Sequence, residues 1–172
     1  MALLIDGFNL IYKFPELEGF MCYGQLNKAR DGLLEILRDY QKLRKGGITV
    51  VFDGKKEPSI EVRSEKIGSI DVYYSLDYSA DYLIKQFIKK DMNPKMITVV
   101  TSDKDIIFYI NRFGAKNISS EKFAEHVKSV FETSRLAEKD KLEEQEKVNP
   151  SISEDEISYW QKIFTKKSSD KR

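Results

Sequence analysis

Three short apolar runs that each lead into an aspartate constrain the fold more than any other feature of the sequence. The runs are ALLI (residues 2–5) before Asp6, ITVVF (48–52) before Asp53, and ITVVT (97–101) before Ser102 and Asp103. Continuous apolar runs, rather than alternating ones, are typical of parallel strands that are covered on both faces. A fourth candidate strand, IDVYYS, lies at 70–75, and a weaker fifth, AKNIS, lies at 115–119.

Helical periodicity fills the intervals between the runs. Apolar residues recur at spacings of three and four in four segments, 25–45, 80–90, 104–112 and 120–131. Strands that alternate with helices form βαβ units with right-handed crossovers, which place the strands in a parallel sheet. The sequence therefore predicts an α/β fold, with residues 7–24 and 54–69 as two long connections at the carboxyl edge of the sheet.

The C-terminal segment differs in character from the rest. With 172 residues, the chain fits one ordinary domain. Residues 135–147 carry many charges and almost no apolar face, whereas residues 153–164 show Trp160 and other apolar residues on one side of a helix. We therefore predict a globular domain at 1–131 and, at 132–172, a charged connector followed by a docking helix.

Composition excludes several classes of protein. The longest apolar stretches fall far short of the roughly 20 residues that a membrane span needs, and the N-terminus lacks the basic segment of a signal peptide. The single cysteine, Cys22, excludes an intramolecular disulfide and a cysteine-based zinc site, and we expect it to be a small buried residue. We expect a cytoplasmic location and no membrane partner.

The net charge of +1 gives the chain no general attraction to nucleic acid. Any contact with RNA would therefore come from local basic clusters, which lie at 38–45, 55–56 and 89–90. The alternative interpretation of each cluster is a solvated helix end or loop.

Four aspartates mark the predicted edge of the sheet. Asp6, Asp53 and Asp103 follow strands, and Asp81 opens the helix after the fourth strand. The carboxyl ends of the strands in an open α/β sheet line one crevice, where four carboxylates repel one another unless a cation compensates them. Magnesium suits such a site, because it binds a few carboxylates and keeps waters for a substrate phosphate.

Each aspartate also has a purely structural interpretation. Asp53 fits a turn, Asp81 fits a first-turn helix charge, and Asp103 fits a helix N-cap. Asp6 is the hardest to explain without a ligand, because a carboxylate that ends a central strand is costly to bury alone. Asp105 is either a supporting residue of the site or an exposed one.

Other chemistries lack the residues that they need. Neither G-x-G-x-x-G nor G-x-x-x-x-G-K-[ST] occurs, so the phosphate-binding loops of dinucleotide and P-loop proteins are missing. His126 is the only histidine and falls on the last predicted helix, which disfavours a catalytic triad or a zinc site. A HAD-type phosphatase needs a second aspartate two residues after the first, where this chain has Phe8.

Five segments carry a family resemblance through their order and spacing. They are LLIDGFNLIYKFPEL, ARDGLLEILRDYQ, VVFDG, SADYLIKQFI and VVTSDKDI. Over about residues 1–131 they resemble the YacP-like NYN domains of the PIN-like nuclease superfamily, to which bacterial ribosome-associated mRNA endonucleases of the Rae type belong. The resemblance implies a PIN-like three-layer α/β/α sandwich with a mainly parallel sheet of about four or five strands.

The resemblance also implies a function and a set of site residues. It implies a metal-dependent endoribonuclease that cuts single-stranded RNA, with Mg²⁺ or Mn²⁺ as cofactor, mRNA as substrate and the ribosome as a partner. Asp6, Asp81 and Asp103 would bind the metal, and Asn9 would complete the catalytic group. The remaining residues would support the site (Asp53, Ser102 and Asp105) or contact RNA (Arg30, Lys55 and Lys56).

Two positions depart from the family pattern. The helix that often opens with T-A-D-D reads Ser79-Ala80-Asp81-Tyr82 here, so the second acidic residue is lost, and the usual FDA after the second strand is FDG. A catalytically weak module of the same fold that binds RNA or the ribosome is therefore the alternative function. The sequence predicts no oligomeric state.

Overall fold

The protein is described here from a computed structural model, which describes residues 2–54, 64–76, 78–148 and 158. The strands are β1 (Ala2–Asp6), β2 (Ile48–Phe52), β3 (Ser64–Ile67), β4 (Ile70–Tyr74), β5 (Ile97–Val100) and β6 (Lys116–Ile118). The helices are α1 (Gly7–Ile11), α2 (Pro15–Cys22), α3 (Leu26–Lys42), α4 (Ala80–Lys90), α5 (Lys104–Asn111) and α6 (Ser120–Val148), and a short 3-10 turn covers Pro94–Met96.

Six strands form one sheet in the order β3-β4-β2-β1-β5-β6. All neighbouring pairs are parallel except β3 with β4, which form an antiparallel hairpin. β1 lies between β2 and β5, with Asp6 opposite Val51 on one side and Ile5 opposite Val100 on the other. The carboxyl ends of these three strands therefore meet at one edge, where the sequence predicts the aspartates.

Alternate residues of β1 enter two separate cores. Ile5 is fully buried in a core with Leu33 of α3 and Phe123 of α6, whereas Leu4 packs in a second core with Ile84 of α4 and residues of α5. Full burial of each such side chain contributes about 1.5–3 kcal/mol. Helices thus cover both faces of the sheet, which confirms the predicted α/β/α sandwich. The sheet has six strands rather than four or five, because the exposed, polar strand β3 carries no apolar run.

The segment after Asp6 is helical, although the sequence predicts a long connection there. α1 begins at Gly7, and a Cβ atom at this position would clash with the ring of Phe52. The absence of a side chain therefore lets α1 begin directly after Asp6 and close against β2. α2 follows at once and ends at Cys22, which is exposed. The prediction that Cys22 is buried is wrong, because it lies at the outer end of an unpredicted helix.

The last helix is longer than predicted. α6 continues from Ser120 to Val148, through the charged segment that has no apolar face, and a pair such as Lys139 with Glu143 (3.8 Å) supports it only weakly.

By its internal contacts the chain divides into Met1–Phe131 and Glu132–Arg172. The predicted docking helix at 153–164 lies outside the described residues. Within the described ranges, no helix is long and apolar enough to cross a membrane.

Candidate active site

One cleft of about 260 Å³ opens at the carboxyl ends of β1 and β2, beside the first turns of α4 and α5. Ten residues line it: Asp6, Phe8, Asn9, Tyr12, Asp53, Ser79, Ala80, Asp81, Asp103 and Ile106. The cleft thus brings together all four aspartates and the asparagine that the sequence singles out. They come from segments that are distant in the chain but adjacent at the sheet edge.

Thr101 joins two of these aspartates. Its hydroxyl, which is fully buried with the rest of the side chain, donates a hydrogen bond to Asp6 Oδ2 at 3.1 Å and accepts one from the backbone N–H of Asp103, also at 3.1 Å. A single side chain therefore fixes the position of Asp6 relative to the turn after β5. The sequence places Thr101 only as the last residue of a strand, so this role is found in the structure alone.

Asp103 serves as the N-cap of α5 while it lines the cleft. Its Oδ1 accepts hydrogen bonds from the backbone N–H groups of Asp105 (2.8 Å) and Ile106 (3.2 Å). Both cap bonds use Oδ1, so the cap does not require Oδ2. Asp103 therefore caps α5, as its structural interpretation predicts, and lines the cleft at the same time. The Asp105 side chain is exposed and is not among the residues that line the cleft.

The orientation of the Asn9 amide is fixed by two donors. Oδ1 accepts a hydrogen bond from the backbone N–H of Ser102 at 3.0 Å and one from Ser120 Oγ at 2.6 Å. A backbone N–H can only donate, so the atom that it contacts must be the carbonyl oxygen of the amide. Ser120 is completely buried at the start of α6. Asn9 therefore offers the cleft its donor group, Nδ2.

Glu121 extends this network to the turn after α1. Ser102 Oγ donates to Glu121 Oε2 (2.6 Å) and accepts from the backbone N–H of Ser120 (3.0 Å), and Lys13 Nζ lies 2.7 Å from Glu121 Oε1. The hydrogen bonds from Lys13 and Ser102 hold the pKa of Glu121 down at about 2. The predicted supporting residue Ser102 therefore connects α1 to the start of α6 rather than lining the cleft itself.

Asp81 lies on the opposite side of the cleft, in the first turn of α4. Ser79 caps this helix by accepting a hydrogen bond from the backbone N–H of Tyr82 at 3.1 Å. Asp81 Oδ2 accepts from Lys85 Nζ at 2.9 Å, whereas Oδ1 is buried and has no hydrogen-bond partner. A buried acceptor without a partner typically costs about 1–3 kcal/mol. This oxygen is therefore the clearest candidate for a ligand atom in the site.

The residues predicted to contact RNA lie elsewhere. Arg30 on α3 donates a hydrogen bond to Asp31 Oδ1 at 3.2 Å and packs over the ring of Tyr74, with 5.7 Å between the guanidinium carbon and the ring centroid. It is not among the residues that line the cleft. Lys55 and Lys56 fall outside the described residues.

Comparison with known proteins identifies the family. The model of the YacP-like NYN domain matches residues 3–165. The chain belongs to this family. The resemblance of the sequence motifs is thereby confirmed, and the match also covers most of the C-terminal segment that the motifs do not reach. Membership supports a nuclease-type, RNA-related function for this NYN domain. No curated protein sequence matches the chain significantly.

Two solved structures share the fold of this NYN domain. The crystal structure of Rae1 (YacP) from Bacillus subtilis has a TM-score of 0.69 and 22% sequence identity, over 96% of this chain and 95% of that chain. A mutant form of the same protein has a TM-score of 0.64 and 24% identity, over 77% of each chain. Likeness of this degree shows that the two proteins share a fold.

The donor atoms of the NYN cleft suit a hard divalent cation. Among the described residues, no group of three or more His, Cys, Asp or Glu side chains lies close enough together to hold a metal ion. The cleft nevertheless presents carboxylate oxygens from four aspartates, and Asp81 Oδ1 is buried without a partner. Magnesium binds proteins through one or two carboxylates and keeps several waters. The residues present therefore fit such an ion, without requiring a cage made only of protein ligands.

Proposed function

We propose that this NYN domain is a metal-dependent endoribonuclease that hydrolyses phosphodiester bonds in single-stranded RNA. The observation that carries the proposal is the convergence of Asp6, Asp53, Asp81, Asp103 and Asn9 on one cleft in a domain of a nuclease family. Carboxylates at the carboxyl edge of a parallel sheet are where an α/β domain binds its ligand. An oriented amide donor among them suits a phosphate oxygen.

Asp6, Asp81 and Asp103 would hold Mg²⁺ or Mn²⁺. A bound ion of this kind polarises a phosphoryl oxygen, lowers the pKa of a water molecule and offsets the charge of the leaving oxygen. In hydrolysis a water oxygen bonds to phosphorus, one P–O bond breaks, and the proton from water passes to the leaving oxygen. Asp53, which also lines the cleft, supports the site electrostatically.

The other residues of the chain orient the substrate and the carboxylates. Asn9 Nδ2 is turned away from the two donors that hold Oδ1, so it donates a hydrogen bond to a non-bridging phosphate oxygen. The Thr101 hydroxyl fixes the position of Asp6 relative to Asp103. Phe8, which is buried and packs edge-on against Phe52 at a centroid distance of 5.3 Å, supports the floor of the cleft. Such positioning contributes to catalysis without motion of the side chains.

The decisive experiment is a gel assay of a mixed RNA substrate with purified protein. Cleavage should occur with Mg²⁺ or Mn²⁺ and stop when a chelator is added. The Asp6→Asn variant, run beside the wild type, guards against a contaminating nuclease because it differs in one side chain only. Cleavage that persists in chelator, or that the variant retains, contradicts the proposal.

A finer part of the proposal concerns how the substrate arrives. Phosphate contacts supply most non-specific affinity for RNA, and each needs a lysine or arginine. With a net charge of +1 and an acidic cleft, this chain binds free RNA weakly. We infer that mRNA is presented by the ribosome, with the basic clusters at 38–45 and 89–90 as contacts; the cluster at 55–56 lies outside the described residues.

Substrate presentation is tested by one comparison. A single transcript is incubated in a reconstituted translation system with and without ribosomes, at one salt concentration, because salt alone changes RNA affinity. Cleavage should be much faster when the transcript is translated. Equal rates would leave a general ribonuclease and remove the ribosome from the proposal.

A second candidate function is a module that binds RNA or the ribosome without cutting it. Two observations favour it: Tyr82 stands where the family often has a second acidic residue, and the described carboxylates do not form a group of three around one point. The gel assay separates the two functions, since the binding module retards RNA in both metal and chelator but leaves it intact.

A further inference from the structure

Two tyrosine side chains lie stacked and exposed beside the cleft. Tyr78 and Tyr82 have ring centroids 4.7 Å apart and ring planes inclined by 27°. Their exposed fractions are 58% and 43%. Between them in the sequence lie Ser79, Ala80 and Asp81, which all line the cleft. The pair is therefore continuous with the wall that carries Asp81.

The stack contributes little to the fold. Neither ring belongs to the two hydrophobic cores, and both keep about half of their surface in water. The backbone that carries them is nevertheless held in place, because the N–H of Tyr82 donates a hydrogen bond to Ser79 Oγ at the helix cap. An aromatic side chain has only two rotatable bonds, so a pair held in this way presents a flat surface at a low cost in conformational entropy.

The chemistry of the cleft indicates what such a surface would bind. Single-stranded nucleic acids bind proteins through a site that holds the backbone and through aromatic rings on which the bases stack. Asn9 Nδ2, together with a cation held by the aspartates, would provide the backbone site, and the tyrosine pair provides a ring surface next to it. Tyr12, which is 45% exposed, lines the cleft from the end of α1 and is a separate aromatic group.

We infer that Tyr78 and Tyr82 form a stacking subsite for one base of single-stranded RNA, next to the nucleotide whose phosphate enters the cleft. This inference rests on the proposed function and deepens it. Every base has a π face, so the subsite accepts all four bases. At position 82 the family often has a second acidic residue, which would face the metal. In this chain Tyr82 stands there and would bind a base instead.

The test measures binding rather than cleavage. The wild type is titrated in Ca²⁺, a hard cation that offsets the carboxylate charge beside a phosphate, against a short fluorescent single-stranded RNA whose integrity is checked on a gel. It is also titrated against a set of the same RNAs that each lack one base but keep the ribose and phosphate. Binding is compared with that of the Tyr78→Ala/Tyr82→Ala double variant. Tyr23→Ala is the matched control, because Tyr23 is 83% exposed at the end of α2 and is not among the cleft-lining residues.

Removal of the base at one position should weaken wild-type binding by between about 5-fold and about 100-fold, as expected for one base stacked on an aromatic side chain. The double variant should bind intact RNA as weakly as the wild type binds that abasic RNA. Its affinity for the abasic RNA should be no lower than its affinity for intact RNA. Tyr23→Ala should bind like the wild type. The Tyr78→Phe/Tyr82→Phe variant keeps the rings and should retain the affinity, which separates stacking from a folding defect.

Two results overturn the inference. One is a double variant that binds intact RNA as tightly as the wild type; the other is a double variant that loses the same further affinity on the abasic RNA as the wild type does. Cleavage of RNA by the wild type in Mn²⁺ is measured in parallel. Failure of the stacking subsite leaves that cleavage intact, whereas failure of the proposed nuclease function leaves the binding difference intact, so the two failures are distinguishable.

Discussion

The two sides of the cleft are built in different ways. The β1–β5 wall, which consists of Asp6, Asn9, Asp103 and their partners, is held by hydrogen bonds from Thr101, Ser102 and Ser120. The α4 wall, which consists of Ser79, Ala80 and Asp81, holds its carboxylate by one ion pair with Lys85 and leaves Asp81 Oδ1 buried without a partner.

This difference separates two tasks. Hydrogen bonds to several partners fix the position of a side chain, because only one arrangement satisfies all of them. A buried oxygen without a partner carries a free-energy cost that a bound cation would remove. All three proposed ligands contribute charge to the metal site. We therefore expect the hydrogen bonds of the β1–β5 wall to control the rate at which a bound substrate reacts, and the ion pair of the α4 wall to adjust affinity for metal. The predictions below test this division between the two walls.

The largest effect should follow loss of a ligand charge on either wall. Asp6→Asn and Asp81→Asn should each reduce cleavage more than about 100-fold, because a metal ion supplies several kcal/mol of transition-state stabilisation. Asp71→Asn is the matched control, since Asp71 on β4 pairs with Lys66 and is not among the residues that line the cleft. Near-wild-type cleavage by Asp81→Asn in saturating Mn²⁺ would remove Asp81 from the ligands.

The same two variants should differ in stability without metal. Asp6→Asn should melt slightly above the wild type, because it relieves repulsion among the carboxylates. Asp81→Asn should gain less or nothing, because Lys85 already compensates Asp81. Thermal melting in chelator measures both. Equal gains would mean that the two walls do not differ in the way that their contacts indicate.

Loss of one hydrogen bond on the β1–β5 wall should have a smaller effect. Ser120→Ala removes one of the two donors that hold Asn9 Oδ1. We expect kcat to fall about 3- to 10-fold, as for a net hydrogen bond, with KM and metal affinity unchanged. Ser120→Thr keeps the hydroxyl and should restore kcat.

Ser119→Ala is the control for the start of α6, because Ser119 Oγ accepts from the N–H of Lys122 and does not contact Asn9. Steady-state kinetics on a short RNA measure all three variants. A Ser120→Ala enzyme whose KM rises while kcat stays constant would assign the hydroxyl to substrate binding rather than to orientation of Asn9.

Replacement of Lys85 should change metal affinity by a modest factor. Lys85→Met frees Asp81 Oδ2 from its ion pair, so Mn²⁺ should bind about 2- to 5-fold more tightly, because a partly exposed pair of this kind contributes up to about 1 kcal/mol. The metal-free protein should melt a few degrees lower. Lys139→Met, which breaks an exposed pair on α6, is the matched control. Weaker binding of Mn²⁺ to Lys85→Met would show that the lysine supports the metal site instead of competing with it.

The smallest effect concerns the ion pair that braces the β1–β5 wall from outside. The pKa of Glu121 is lowered from 4.5 to about 2, mainly by Lys13, so this group stabilises the fold fully above its unfolded pKa near 4.5. Glu121→Gln should therefore be slightly less stable than the wild type at neutral pH. The difference should shrink as pH falls from about 4.5 towards 2, and urea midpoints over that range measure it. A difference that stays constant with pH would mean that the carboxylate charge contributes nothing.

Most of the sheet could be predicted from the sequence, because parallel strands that are buried on both faces consist of continuous apolar residues. Val50 and Val99 are completely buried within such runs. β3 could not be predicted, since Glu65 and Lys66 face solvent at the edge of the sheet and resemble a loop. α1 and α2 are short and contain glycine and aromatic residues, and tertiary packing of Phe14 and Leu17 stabilises them more than helix propensity does.

The aspartates of the site could be predicted because each stands at a strand end, and strand ends are visible in the sequence. The residues that hold them could not. Ser102 and Asn9 are 93 positions apart, and Ser120 and Asn9 are 111 apart. A serine at the start of a helix has the ordinary appearance of a cap, and only the folded arrangement shows that its hydroxyl reaches α1 instead. Hydrogen-bond partners that are this far apart in the chain leave no local sequence pattern from which they could be predicted.

The central position of β1 has a consequence for synthesis of the chain. A protein is made from its N-terminus, so Asp6 and Asn9 are available first, whereas Thr101 follows Asp6 by 95 residues and Ser120 comes later still. Until β5 has been made, β1 can pair on one side only, and its terminal carboxylate has neither its hydroxyl donor nor its neighbour Asp103. A nascent chain that ends before Thr101 therefore lacks the arrangement of the proposed site, which can form only after β5 and the first residues of α6 have been made.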